Sequence, residues 1–292
     1  MKKVYHNPVG VGKYTGLLFI LPFILGFLLF TLYPFVSSFI LGLTDYNGIS
    51  QPKFAGLDNY ISMFRDENFR NAFAVTLKYV LILVPLKLII SLLVALVLNM
   101  EIKGIGIYRT IFYIPSILGS NLAVVIMWQF LFTGNGLVNQ IFDTDISWYS
   151  SSGGSLAIII LLRLWEFGSA MIIFLNALRD IPKEYYDAAK VDGCGKIRCF
   201  FSITLPLLKN VIFLNTILQF ISAMQEFNAP YMITGGGPMK STYTIGMLIY
   251  DEMFKYHNAG YANAVSWVLF VIITVFVLIL FRITGRHRED NQ

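Results

Sequence analysis

The sequence is short of charge. Only 13% of its 292 residues are Asp, Glu, Lys or Arg, and 56% are hydrophobic, whereas about a quarter of a soluble domain is charged. A water-soluble protein of this size must wet its own exterior, so the shortage excludes a soluble enzyme of one or two globular domains. It excludes a disordered chain as well, since disorder needs low hydrophobicity and high net charge. Cysteine is nearly absent. Cys194 and Cys199 cannot make a disulfide framework, and in one charged loop they are too few and too close for a zinc site; no metal ligand set is expected. The three histidines, His6, His257 and His287, lie outside the apolar runs. No His/Asp/Glu cluster and no Ser–His pair at catalytic spacing falls inside those runs, so an intramembrane enzyme finds no support. A Gly-x-x-x-x-Gly-Lys-Ser/Thr phosphate loop is also missing.

What the chain has instead is long apolar runs. A hydrocarbon core of about 30 Å takes about 20 residues of helix. Candidate spans fall at about 15–43, 73–98, 113–132, 156–178, 207–233 and 262–281. The second contains Lys78 and Lys87, the fourth Arg163 and Glu166, and the fifth Glu226. Apolar runs of this length predict an all-α integral membrane protein with six helices, not a barrel of short alternating strands. Residues 1–292 read as a single transmembrane domain. The amino-terminal Met-Lys-Lys precedes an apolar run too long for a signal-peptide core, with no small-residue cleavage pattern, and is read as leading into a retained helix.

Lys and Arg orient the spans. With the amino terminus inside, fourteen fall in cytoplasmic segments, five in outer loops (Lys53, Arg65, Arg70, Lys240 and Lys255) and three within spans. This bias puts both termini and the loop at about 179–206 in the cytoplasm of a cell membrane protein. The formal net charge of +5 is then a matter of sidedness and gives no reason to expect a nucleic-acid partner.

The cytoplasmic loop is the most informative stretch. Asp180 can cap a helix whose first turn holds Pro182. Ala188 and Ala189 favour helix, and Gly193 can end it in a left-handed conformation. A second short helix is expected at about Lys196–Ser202, with Pro206 opening the fifth span. Small Ala188 and Ala189 allow close approach, and Tyr185 and Tyr186 offer aromatic anchors. Such a helix–turn–helix either rests on the membrane surface or docks a cytosolic partner.

The spacing Asp187-Ala188-Ala189, Gly193, Ile203-x-Leu205-Pro206 resembles the signature loop of permease subunits of ABC importers, with Asp187 where the family usually has Glu. Leu32-Tyr33-Pro34, Thr44-Asp45-Tyr46-Asn47, Gly56-Leu57-Asp58-Asn59-Tyr60, Arg109-Thr110-Ile111-Phe112-Tyr113-Ile114-Pro115 and Trp128-x-x-Leu131-Phe132 are similar to carbohydrate permeases of the maltose and glycerol-phosphate importer type. Thr234-Gly235-Gly236-Gly237-Pro238 resembles the first permease of such a pair. The resemblance implies the type I importer permease fold. It also implies a heterodimer with a second permease, a cytosolic ATPase dimer that binds Mg-ATP, an extracellular solute-binding protein, and a sugar or oligosaccharide as substrate. This chain itself needs no cofactor.

On that resemblance, Glu184, Tyr185, Tyr186, Asp187, Ala188, Ala189, Asp192, Gly193, Ile203, Leu205 and Pro206 form the ATPase-coupling loop. Gly235, Gly236, Gly237 and Pro238 form the binding-protein contact. Polar residues inside spans are costly and mark sites. Gln219, Ser222, Ala223 and Glu226 fall at i, i+3, i+4 and i+7, one helix face. With Arg163, Trp165, Glu166, Phe167 and Ser169 they are the expected substrate pathway, the two aromatics stacking on sugar rings. The same polar residues can also pair within the bundle or hold helices together. Lys87 either faces the cavity or pairs with the other permease, Lys78 snorkels outward, and Lys87 with Arg163 leaves an acidic sugar open.

Two alternatives stand beside this reading: an ABC importer for a non-sugar solute, and an ion-coupled transporter. The latter calls for inverted repeats and broken helices around buried carboxylates; no repeat is visible, and Glu166 and Glu226 are the only good candidate acids. Purified alone, the chain is expected to release no phosphate from ATP; robust hydrolysis by the single chain overturns the assignment of the motor to a partner.

Overall fold

Three apolar stretches, Leu18–Gly42, Glu67–Leu98 and Ala259–Ile283, are each long and apolar enough to cross a membrane, and three pairs of consecutive helices are so when each pair is taken as one broken crossing. Counting each pair once gives six. The structure is a computed structural model describing residues 15–100, 104–119 and 121–289. Lys2, Lys3, Lys13 and Lys103, used above for orientation, lie outside the described residues.

The first crossing runs through α1 (Thr15–Phe27), a π turn (Leu28–Leu32) and α2 (Tyr33–Gly42). The widened turn sits just ahead of Pro34, whose ring would clash with the carbonyl one turn back in a regular helix. A two-stranded hairpin follows, β1 (Thr44–Asp45) with β2 (Lys53–Phe54). Asn59, from α3 (Asp58–Arg65), donates to the carbonyls of Gly42 and Thr44 at 3.0 and 2.9 Å and ties the hairpin to the end of the crossing.

Helix α4 (Glu67–Leu98) starts six residues before the expected 73, because Asp66 caps it, accepting from the Asn68 amide at 2.9 Å, and Glu67 suits its first turn. It is the centre of the bundle, packed against the fourth and fifth crossings. The expected third span, 113–132, is instead two helices, α5 (Ile105–Leu118) and α6 (Leu122–Leu131). Asn121 caps α6 through the Ala123 amide. Outside follows α7 (Leu137–Phe142).

The expected span 156–178 is also broken, into α8 (Ser152–Trp165) and α9 (Gly168–Arg179), bent by 42°. The cytoplasmic loop carries α10 (Lys183–Val191). The chain then runs through α11 (Lys196–Cys199), a π turn (Phe200–Thr204), α12 (Leu205–Leu207) and, after a 67° bend, α13 (Lys209–Met224). The regular part of the fifth crossing therefore stops nine residues short of the expected 233; a π turn, Pro230–Thr234, follows the break. Last come α14 (Ile245–Tyr250), a π turn (Asp251–Lys255) and α15 (Ala259–Glu289), which packs on α2 and α13.

One apolar core joins α4, α8, α13 and the outer segments around Tyr243–Leu248, and a second lies at the cytoplasmic end, from Ala95 and Leu98 to Phe174, Leu178 and Leu208. The first crossing buries almost nothing in this chain, and Phe19, Phe23 and Phe30 stand out from it. In a bilayer such a face meets lipid or another helix at no hydrophobic penalty.

A break in a membrane helix frees backbone groups that lipid cannot satisfy. Neighbouring hydroxyls do it here. At the α8/α9 break, Ser116 Oγ donates to the Glu166 carbonyl (3.1 Å) and accepts from the Ser169 amide (3.0 Å), while the Phe167 carbonyl accepts from the Met171 amide in α9 (3.0 Å). After α13, Thr244 Oγ1 donates to the Glu226 carbonyl (2.9 Å). Gly168 lets α5 come within touching distance of the break: a Cβ there would lie 2.6 Å from the Phe112 carbonyl oxygen. Gly168→Val is therefore expected to abolish recovery of monodisperse complex on size exclusion in detergent. Gly153→Ala, at a glycine with open space around it, is the control that retains it; normal recovery of Gly168→Val removes the close approach as a requirement.

Candidate functional site

The two broken crossings meet around a polar cavity of about 350 Å³. Arg163, near the end of α8, reaches across it. Its Nε and Nη2 bind Glu226 Oε2 and Oε1 at 2.7 and 2.9 Å, a bidentate pair, and Nη1 binds Glu166 Oε1 at 2.7 Å. The three side chains are 11, 9 and 13% exposed in that order. Glu226 Oε1 also accepts from the Ala229 amide at 3.1 Å, capping the segment after the break. Glu166 packs directly on Gly119, at the end of α5, so three crossings converge on one ion cluster.

Gln219, Ser222, Ala223 and Glu226 all line this cavity. They do so on two elements, because α13 ends at Met224 and Gln225 closes it; Glu226 arrives from the following turn. Helix α4 adds Tyr79 and Lys87 from one face, two turns apart. The buried Tyr79 hydroxyl has no hydrogen-bond partner among the described residues. Lys87 is buried at the cavity wall and makes no ion pair among the described residues. Phe227 and Asn228 complete the outer side.

Trp165, Phe167 and Ser169 lie elsewhere. The two aromatics line a separate apolar cavity of about 730 Å³, where Trp165 stacks on Trp128 at 5.8 Å. The Ser169 amide is spent on Ser116. The structure thus sets these three apart from the polar cavity that Arg163, Glu166 and Glu226 share.

In the cytoplasmic loop, Pro182 rather than Asp180 takes the N-cap position of α10, without a side-chain cap, while Asp180 closes α9. Glu184 is in the first turn of α10. Tyr185 is exposed, whereas the Tyr186 hydroxyl is 2.9 Å from Thr204 Oγ1, tying α10 to the chain that enters the fifth crossing. Asp187 pairs with Lys190 at 2.9 Å on the exposed side. Ala188 and Ala189 carry the middle of α10, and the Ala189 carbonyl accepts from the Cys194 amide. Asp192 is the C-cap and Gly193 follows at φ +72°, a left-handed turn that a side chain would strain. The second helix is shorter than expected: after Cys199 the chain widens into a π turn holding Ile203, and Leu205 and Pro206 form α12. Gly235, Gly236, Gly237 and Pro238 form a turn past the fifth crossing. The outer end of α4 reaches the next residues of that turn, through Asn71 donating to the Lys240 carbonyl at 3.0 Å.

Spacing did not reveal Tyr79 or Phe227. The Tyr79-Leu83-Lys87 stripe was the available signal, read at its lysine alone. Asn215, one turn below Gln219, is fully buried with both amide atoms unpartnered among the described residues, and its i, i+4, i+7 spacing with Gln219 and Ser222 was equally legible.

Removing one partner of a buried ion pair costs about 3–5 kcal/mol, whereas replacing the whole group with apolar side chains is often neutral. Arg163→Met is thus expected to lower the melting temperature of the purified complex, and the triple change with Glu166→Leu and Glu226→Leu to recover it without recovering transport. Wild-type stability of Arg163→Met shows that the cluster does not hold the bundle.

The chain resembles known proteins throughout its length. The family model for the binding-protein-dependent transport system inner membrane component matches residues 105–288. The probable ABC transporter permease protein YesP of Bacillus subtilis is 43% identical over 288 residues, 95% of this chain and 93% of that protein. The trehalose/maltose transport system permease protein MalF of Thermococcus litoralis is 32% identical, over 94% of this chain and 95% of its own. In fold, the chain matches a bacterial alginate ABC transporter solved in complex with an alginate pentasaccharide-bound periplasmic protein, with a TM-score of 0.81, 21% identity, and 94% and 96% of the two chains covered. A family match over more than half of the chain, beside a relative aligned almost end to end, shows that this protein belongs to the binding-protein-dependent transport system inner membrane component family, as a membrane permease subunit and not an enzyme.

Proposed function

We propose that this chain forms, with a second permease, the pathway for a saccharide in an ABC importer, and that its cavity between the broken fourth and fifth crossings is its half of the substrate path. The observation that carries the reading is the cavity itself. It sits at the helix breaks and offers amide, hydroxyl, carboxylate and cationic groups with an aromatic wall at Phe227, a lining suited to a polyhydroxylated ligand with apolar ring faces. Relatives named for trehalose and maltose, and a structural neighbour that imports alginate, support a saccharide over other solutes.

In this reading the solute-binding protein delivers the saccharide at the outer face, with Gly235–Pro238 among its contacts. A partner ATPase dimer binds Mg-ATP and its closure pushes on the loop from Glu184 to Pro206. Gly193 lets α10 stop short and turn back, and the Tyr186–Thr204 contact joins α10 to the start of the fifth crossing. A push on α10 therefore reaches α13, which carries Gln219 and Ser222. The energetic logic is alternating access: ATP and the loaded binding protein each favour one packing of the same helices.

A thermal-shift screen of the partner binding protein against maltose, trehalose, lactose and alginate oligosaccharides identifies the ligand, and uptake by the assembled transporter tests the path. Gln219→Leu is expected to cut uptake about fivefold, the worth of one hydrogen bond of about 1 kcal/mol, while leaving assembly and ATP hydrolysis in place. Gly193→Val is expected to lose uptake with insertion intact. Wild-type uptake in both variants sinks this reading.

A further inference from the structure

Between the cavity and the outer face stands a connected cluster of four aromatic rings. Phe227 lines the cavity. Its ring stacks on Tyr231 at 5.0 Å and lies 5.0 Å from Tyr250; Tyr231 and Tyr250 meet edge to face at 5.1 Å; Tyr250 is 5.2 Å from Phe254. The four come from different elements: the turn after α13, the π turn Pro230–Thr234, the end of α14 and the π turn after it. Phe227, Tyr231 and Tyr250 are half-buried and Phe254 is 65% exposed. The fully buried residues of this region, Ile245, Met247 and Leu248, belong to the core beneath; Phe227 and Tyr231 each pack one side against that core, whereas Tyr250 and Phe254 lie outside it.

The cluster is held from one side. Lys255 Nζ sits over the Tyr231 ring at 5.5 Å and the Tyr250 ring at 5.9 Å. It is tethered there by Asp251 at 2.6 Å, and Asp251 accepts in turn from the Tyr243 hydroxyl at 2.9 Å. Asp251 holds the Lys255 ammonium above its usual pKa, so the cation over the rings is permanent at neutral pH. A cation on a ring face is a stable arrangement, and it fixes the rings without covering Phe254 or the cavity edge of Phe227.

A sugar ring presents a C–H face that packs on an aromatic ring while its hydroxyls remain with water or polar groups. Such stacking tolerates sliding, because it reads no hydrogen-bond pattern. We infer that Phe227, Tyr250 and Phe254, held in place by Tyr231 packed among them, form a line of stacking subsites along which a saccharide passes from the outer mouth to the polar cavity. This rests on the saccharide reading above. The geometry favours a carbohydrate over a docking loop of the binding protein, because the line descends to the cavity wall instead of ending at the surface.

The test uses the complete transporter in proteoliposomes with its binding protein, and maltotriose, trehalose and an alginate trisaccharide as probes. Tyr250→Leu and Phe254→Leu keep apolar volume but lose the aromatic face. Each is expected to lower the transport rate at saturating loaded binding protein about two- to tenfold, the worth of one aromatic contact, with Tyr250→Phe recovering most of the rate. Binding-protein docking, measured separately by surface plasmon resonance on the same complexes, is expected to stay at the wild-type Kd. If Tyr250→Leu matches Tyr250→Phe, or if the loss of rate follows a loss of docking, the line of subsites is overturned and the rings are packing or docking residues. If the wild-type transporter takes up none of the probes, the saccharide reading fails and the subsites fail with it.

Discussion

Three charged side chains inside a membrane bundle are a heavy liability, and the rest of this structure is arranged to contain it. Arg163 answers Glu226 with two hydrogen bonds and Glu166 with one, engaging all three nitrogens of its planar fork. The pairing sits at the two helix breaks. After α13 ends, Glu226 meets Arg163, its carbonyl accepts from Thr244 Oγ1 and its Oε1 accepts from the Ala229 amide, so one residue serves both the ion cluster and the break.

The breaks in turn dictate which small polar residues the chain carries. Ser116 and Thr244 each satisfy a carbonyl that the fourth or fifth crossing frees. Their hydroxyls come from α5 and the segment before α14, which ties those parts of the chain to the two breaks. Gly119 and Gly168 serve the same end from the opposite direction, clearing space so that α5 reaches the break and Glu166 folds against it.

Broken helices around buried carboxylates were one of the marks by which an ion-coupled transporter would be told from an ABC permease. They are present here, at both acids, so that mark does not separate the two classes. A break with a well-satisfied backbone is a general means of building a polar site at membrane depth, and it is the family match that sets this chain among the permeases. The cytoplasmic loop is mostly exposed, ends α10 at a left-handed glycine and is tied to the start of the fifth crossing.

Much was legible in the residues alone. The shortage of charge and the apolar runs determined six crossings, because lipid accepts only helices whose backbone is satisfied. The Lys and Arg bias determined their direction. The order Asp187-Ala188-Ala189, Gly193 and Leu205-Pro206 marked the helix and turn of the cytoplasmic loop, because each residue type there serves local helix geometry. The helix breaks were not legible. Span boundaries were set by hydropathy, and hydropathy is the same on either side of Glu166 or Gln225. Whether such a segment bends depends on serines and threonines far away in sequence that stand ready to satisfy the freed carbonyls. For the same reason only the tertiary structure gathered Tyr79, Lys87 and Phe227 into the cavity, sent Trp165 and Phe167 to an apolar one, and brought four rings from different elements into one cluster beside the cavity.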